Sequence, residues 1–237
     1  MKLYCYYTSA YEVLLQEWFL PSLKDDYTVI LKRDDYGESC VMYKDKGWHH
    51  ITREKTNFII SAIKDTWGDI FVFTDPDTQF FKETKQIVLR LSKHNDLVFQ
   101  RDNPQGVLCS GFFACRANKK TLRLWEDIRN YIGTNGSDDQ DSLNHLLLSG
   151  PFFRHWSARK RIMLSRWGVN TYRIPWGYFP AEFYGAGALT GTVWQPGMAL
   201  SIPESIRMHH ANYARGINDK IAQLRFVRNI IQSRKSL

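Results

Sequence analysis

Cysteine is scarce in this chain: four residues in 237, at Cys5, Cys40, Cys109 and Cys115, with no Cys-x-x-Cys and no paired spacing. That argues against a disulfide framework and a structural zinc, and it favours a reduced, cytoplasmic setting. No apolar run approaches the length of a membrane span, and Met1-Lys2-Leu3-Tyr4-Cys5-Tyr6-Tyr7 is too short and too polar in its continuation for a signal peptide. Acidic residues are in deficit: 24 Asp and Glu face 32 Lys and Arg, leaving a net charge of +8. Such a field suits phosphorylated ligands, acidic glycans or an anionic membrane face, and its sign does not choose among them. Repeats, low-complexity tracts and a linker are missing too, so residues 1–237 are read as a single domain.

What is present is an alternation of strand and helix patterns, which argues for an α/β sheet. Leu3 to Tyr7, Tyr27 to Leu31, Leu97 to Gln100 and Val107 to Arg116 read as strands, the last broken by Gly111. Tyr11 to Leu20, Thr52 to Trp67 and Glu83 to Leu91 read as helices, as do a run from an Asn118 cap to Tyr131 and one from Ser137 or Asp138 to Leu148. Asp34 to Trp48 has no pattern. Pro151 to Pro203 is rich in Gly, Pro, Trp and Tyr with little period, and fits either a lid or acceptor-binding wall, or a packed irregular segment. Ile217 to Ser233 reads as a basic amphipathic helix.

The most informative run is Phe71-Val72-Phe73-Thr74-Asp75-Pro76-Asp77-Thr78-Gln79-Phe80-Phe81. A buried strand that stops at Asp-x-Asp brings two hard oxygen donors to the end of a sheet, where open α/β folds put their ligands. By itself the tripeptide reads more often as a turn or a cap for the next helix. Three further elements follow it in order: Cys109-Ser110-Gly111-Phe112-Phe113, Asp138-Asp139-Gln140-Asp141, and Met208-His209-His210-Ala211-Asn212 with Gly216 and Lys220 downstream.

With these elements the chain resembles the GT-A nucleotide-diphospho-sugar transferases, in the group with a metal strand like F-x-x-x-D-x-D-x-Q-F-F and a C-terminal H-A-N. The likeness runs from the first strand to Lys220 and implies a Rossmann-like GT-A domain with a mixed, mostly parallel sheet. Residues 1–105 would be the nucleotide-binding half; 106–237 would carry the acceptor wall and the metal and diphosphate segment. It further implies that Asp75, Asp77 and His210 hold a divalent cation, with Asp75 also towards the ribose, and that Lys220 meets the diphosphate. By the same likeness Lys55 touches the nucleotide, and Asp139 and Gln140 face the anomeric carbon. Gly111 lets backbone approach the sugar, although Cys109 stands where related enzymes carry Asn, and Thr8 offers a hydroxyl to the cofactor. Imidazole beside carboxylates shifts the cation from Mg²⁺ towards Mn²⁺.

The expected activity is transfer of a sugar from a nucleoside-diphosphate donor, by default a UDP-sugar, to a glycan acceptor with retention. An inverting route would need a carboxylate base, with Asp102, Asp139, Asp141 and Glu182 as candidates. A metal-dependent hydrolase or phosphotransferase and a non-catalytic glycan-binding module are the readings from other classes. His209 is the fallback ligand, and His49-His50 reads as structural or as nucleotide-pocket wall. Arg53 opens the helix beside Lys55. The basic run Arg154 to Trp167 is read first as a solvated face, with a peripheral membrane contact as the lesser reading and no nucleic-acid partner expected.

Overall fold

The run Leu3 to Tyr6 lacks polar alternation because both of its faces are covered. In the computed structural model, which describes residues 1–35, 47–148, 157–187 and 191–235, this run lies in β1 (Lys2–Thr8). β1 pairs in parallel with β2 (Thr28–Asp34) and with β3 (Ile70–Thr74). β6 (Leu108–Arg116) runs antiparallel between β3 and β5 (Leu97–Arg101), and β7 (Trp176–Tyr178) joins the edge parallel to β5. The order β2-β1-β3-β6-β5-β7 makes a mixed sheet in which β6 alone is reversed. The order switches direction between β1 and β3, where such sheets open a crevice at their carboxyl ends.

Period-two alternation divides the core. Phe71, Phe73, Phe99 and Phe113 face α2 (Trp48–Asp65), α4 (Lys119–Tyr131) and α5 (Asp139–Leu148). Val72, Val98, Phe112 and Ala114 face the opposite side, against Leu15 and Phe19 and a second sheet of β4 (Thr78–Phe80), β9 (Met208–His210) and β8 (Phe183–Gly185). The helical segment from Ser9 to Ser22 is not one regular helix. α1 (Glu12–Leu14) lies between a 3-10 turn and a π turn, and Pro21 sits in the closing 3-10 turn.

α2 starts at Trp48, four residues ahead of the expected Thr52, with Gly47 at its N-cap in the left-handed region. α4 opens on the expected Asn118, whose side chain caps it in a full capping box. Gly111 does not break β6; Cβ-free, it sits inside a continuous strand. The segment expected to be irregular holds α6 (Ala158–Arg166), β7 and β8, and it buries Trp176 and Trp194. α7 (Gly216–Lys235) buries Leu224, Val227 and Ile231 along the predicted stripe. α3 (Lys85–Leu91) closes the set. Cys40, Pro151, Arg154, Trp156 and most of the patternless run after Asp34 lie outside the described residues.

Candidate active site

β3 ends at Thr74, and Asp75-Pro76-Asp77 turns the chain into β4. The turn is held from both sides, since Asp75 N donates to Gly111 O at 2.7 Å and Asp77 O accepts from Ala211 N at 2.9 Å. β9 lies antiparallel to β4 with His210 opposite Thr78, so a strand 130 residues further along the chain sets an imidazole beside the turn. Alternation then sends His209 the other way. It is fully buried, stacks on Tyr184 and is pushed down to about 3 by that burial, so it is neutral and turned away from the turn. This removes it as fallback ligand.

Asp75, Asp77 and His210 each offer a ligand atom, all within 4.8 Å of one another. His210 Nε2 is 3.3 Å from Asp77 Oδ1, and Lys220, from the first turns of α7, pairs with Asp77 Oδ2 and donates to Ala211 O at 3.3 Å. Lys55 on α2 lies between Asp75 (3.0 Å) and Asp139 (3.1 Å). Burial opposes every charge here. It is outweighed at Asp77, where Lys220 and His210 hold the carboxyl below the usual range, and at Lys220 and His210, which Asp77 raises. At Asp75 burial wins over Lys55, and the carboxyl rises.

Gly111 explains how the cluster fits. A Cβ there would lie 2.5 Å from His210 Cε1 and 2.6 Å from Asp75 Oδ2, so two of the three donors occupy the space that a side chain would fill. Two carboxylates and an imidazole are hard and borderline donors suited to a divalent cation, and the cradle fits one. These side chains, with Thr8, Gly111 and Gln140, line one cleft of about 680 Å³. Thr8 Oγ1 is buried without a hydrogen-bond partner.

The sequence profile of one family, described as nucleotide-diphospho-sugar transferase, matches residues 11–224, a span that contains every one of these residues except Thr8. The chain belongs to the nucleotide-diphospho-sugar transferase family. The transferase also superposes on a crystal structure of a glycosyltransferase involved in the glycosylation of the major capsid of PBCV-1. The TM-score is 0.51 at 8% identity, over 95% of this chain and 100% of that one. At that identity the match speaks for the fold, the GT-A arrangement of a mixed sheet flanked by helices. No curated protein matches the chain.

In the transferase, Gln140 is less free than its motif implies. Its Nε2 donates to Asp102 Oδ2 at 3.1 Å, and its Oε1 accepts from Ser110 N at 3.1 Å. Asp102 Oδ1 accepts from Asn212 Nδ2 at 2.9 Å, so Asp102 ties the D-Q element to H-A-N. Of the carboxylates considered as a base, Asp102 and Asp139 line the cleft, whereas Asp141 and Glu182 do not. His49 and His50 are exposed on the first turn of α2 and are not among the cleft-lining residues, and Arg53 donates to Ile132 O instead. Arg159, Lys160 and Arg166 are exposed on α6, as the solvated-face reading expects. Sequence reasoning missed the aromatic wall of Tyr7, Tyr11 and Trp48, the Arg215 side chain at the cleft, and Gln100 beneath His210. Trp48 was detectable in principle, one helical turn ahead of Ile51 and Thr52. Gln100 carried no signal.

Proposed function

We propose that the cleft transfers a sugar from a nucleoside-diphosphate donor, UDP by default, to a glycan acceptor, with a divalent cation and with retention of anomeric configuration. The observation that carries this reading is the convergence of Asp75, Asp77 and His210 within 4.8 Å, beside Lys220 and inside one cleft. Asp75, Asp77 and His210 would hold the cation, Mn²⁺ before Mg²⁺ because an imidazole joins the carboxylates. When bound, the cation offsets charge that builds on the leaving diphosphate. Lys220 donates to the diphosphate oxygens and strengthens as their charge grows. Lys55 orients Asp75 and Asp139, and the unpartnered Thr8 hydroxyl meets the nucleotide.

Retention is supported by the state of the cleft carboxylates. Asp102 has a donor on each oxygen, and Asp139 is paired with Lys55 through Oδ2. In the proposed step the acceptor oxygen bonds to the anomeric carbon on the face from which the diphosphate departs. The acceptor's proton passes to the leaving phosphate oxygen as the old carbon–oxygen bond breaks. Asp139 and Gln140 stabilise the intervening oxocarbenium-like charge. We further propose that the chain acts as one unit whose halves, 1–105 and 106–237, face each other across the cleft. Among the described residues no helix is long and apolar enough to cross a membrane. The buried free thiols Cys5, Cys109 and Cys115 support a cytoplasmic setting.

The test is a sugar-nucleotide panel with and without Mn²⁺, read by product formation and by proton NMR of the fresh linkage. An α-linked donor should give an α-linked product, and Asp77→Ala or His210→Ala should abolish turnover in a folded protein. A β-linkage sinks retention, and Asp77→Ala activity that survives chelation sinks the cation. Hydrolysis that dominates despite a good acceptor favours the hydrolase.

A further inference from the structure

The geometry points to Gln100 as the residue that sets the tautomer of His210 and aims its Nε2 at the cation, an inference that rests on the cation reading above. Gln100 is fully buried at the bulge of β5, where the register against β6 shifts between Phe99 and Arg101. Its Nε2 is 3.1 Å from Phe183 O and 3.5 Å from Met208 Sδ, two groups that can only accept. The amide therefore cannot be turned round, and Oε1 is the atom that faces His210 Nδ1 at 2.9 Å. An amide oxygen accepts and never donates, so Nδ1 carries the proton. The other neighbour of that nitrogen, Cys109 Sγ, lies 3.6 Å away, and its thiol is a weak donor against the amide oxygen at 2.9 Å.

With Nδ1 protonated, a neutral His210 has its lone pair on Nε2, the nitrogen that lies 3.3 Å from Asp77 Oδ1 within the donor cluster. The opposite tautomer would point an N–H at the cation. It would also set two acceptors against each other beneath the ring, at a fully buried amide. Gln100 acts through His210 and touches neither donor nor acceptor, so it is a positioning residue. The anchor is spread over two sheets: Gln100 belongs to the large one, while Phe183 and Met208 belong to the small one that also carries His210. The bond thus ties the C-terminal ligand strand to the large sheet, whose β3 leads into the aspartate turn.

The experiment measures Mn²⁺ affinity, with and without UDP, by the electron paramagnetic resonance of free Mn²⁺. Gln100→Met keeps the volume and removes the acceptor; it should weaken Mn²⁺ binding by about 10- to 100-fold while circular dichroism stays unchanged. Gln100→Glu, protonated on the oxygen that faces Phe183 O, restores both the donor and an acceptor for Nδ1–H and should bind within a few fold of the parent. In a His210→Ala background Gln100→Met should have no further effect. Wild-type protein that binds no Mn²⁺ overturns the cation reading itself. Wild-type binding with Gln100→Met within twofold of it, or with the same loss in His210→Ala, overturns the role of Gln100 alone.

Discussion

Gly111→Ala tests the donor cradle with one methyl group. Gly111 does not have a positive φ, so alanine meets no backbone penalty in β6 and, as a strand residue, should improve on glycine. The whole effect then falls on the contacts. The new Cβ would be 3.1 Å from His210 Nε2, and 2.5 Å from its Cε1 and 2.6 Å from Asp75 Oδ2, the last two about 1 Å inside ordinary van der Waals separation. His210 is pinned from below by Gln100, so the ring cannot retreat without breaking a buried hydrogen bond. Overpacking of this kind costs about 1–3 kcal/mol, or roughly 2–12 °C in Tm for a chain of this size. A displacement of about 1 Å at a catalytic group costs on the order of 100-fold in rate. The assays are Mn²⁺ binding, kcat/KM and thermal unfolding of Gly111→Ala. The combination with His210→Ala, which empties the most crowded contact, should recover the lost stability. Gly111→Ala with native Mn²⁺ affinity and native activity would refute the cradle, and a double variant no more stable than Gly111→Ala would place the clash elsewhere.

Lys55→Met strips the shared cation from Asp75 and Asp139; breaking so buried an arrangement should cost about 3 kcal/mol in urea unfolding, and a loss under about 1 kcal/mol would contradict it. Asp138 is pushed up to about 6 by burial and then by the charge of Asp139. A folded carboxyl raised above its unfolded value of about 3.9 binds its proton more tightly in the native state, so stability falls as pH rises from about 4 to 6 and the cost is full above that. Asn caps α5 as well as Asp does, and the Trp48 bond to Asp138 is long at 3.4 Å. Asp138→Asn should therefore raise Tm at pH 7.5 and leave it unchanged below pH 4; an equal shift at both would show that charge is not the cause. Lys220→Ala should weaken nucleoside-diphosphate binding and lower kcat, both measurable by calorimetry and steady-state kinetics, and unchanged values would free Lys220 from the diphosphate.

Much of the fold was legible because its signals are local. Apolar runs bounded by Gly, Asn and Asp marked β1, β2, β3, β5 and β6 with small boundary errors, and Asn118 announced α4 through a cap that operates within four residues. The misreadings came from contacts made at long range. Gly111 read as a strand break because glycine is a poor strand former, yet its missing Cβ is filled by His210, 99 residues away. The segment after Pro151 read as patternless because β7 and β8, at three residues each, are too short to show a period. They pair only where the large and small sheets offer an edge.

By itself the sequence carried the acidic, imidazole and basic motifs, their order along the chain and the α/β class, because motif spacing and hydrophobic period are properties of neighbouring residues. It named Asp75, Asp77 and, through the H-A-N likeness, His210, with His209 as the fallback. That choice belonged to the pairing of β4 with β9, where a register of one residue decides between His209 and His210. The proton on Nδ1, the two carboxylates shared by Lys55 and the tether from Asp102 to both motifs were likewise decided by tertiary structure. Each depends on an atom brought to hydrogen-bond distance by packing, and no local pattern encodes such a distance.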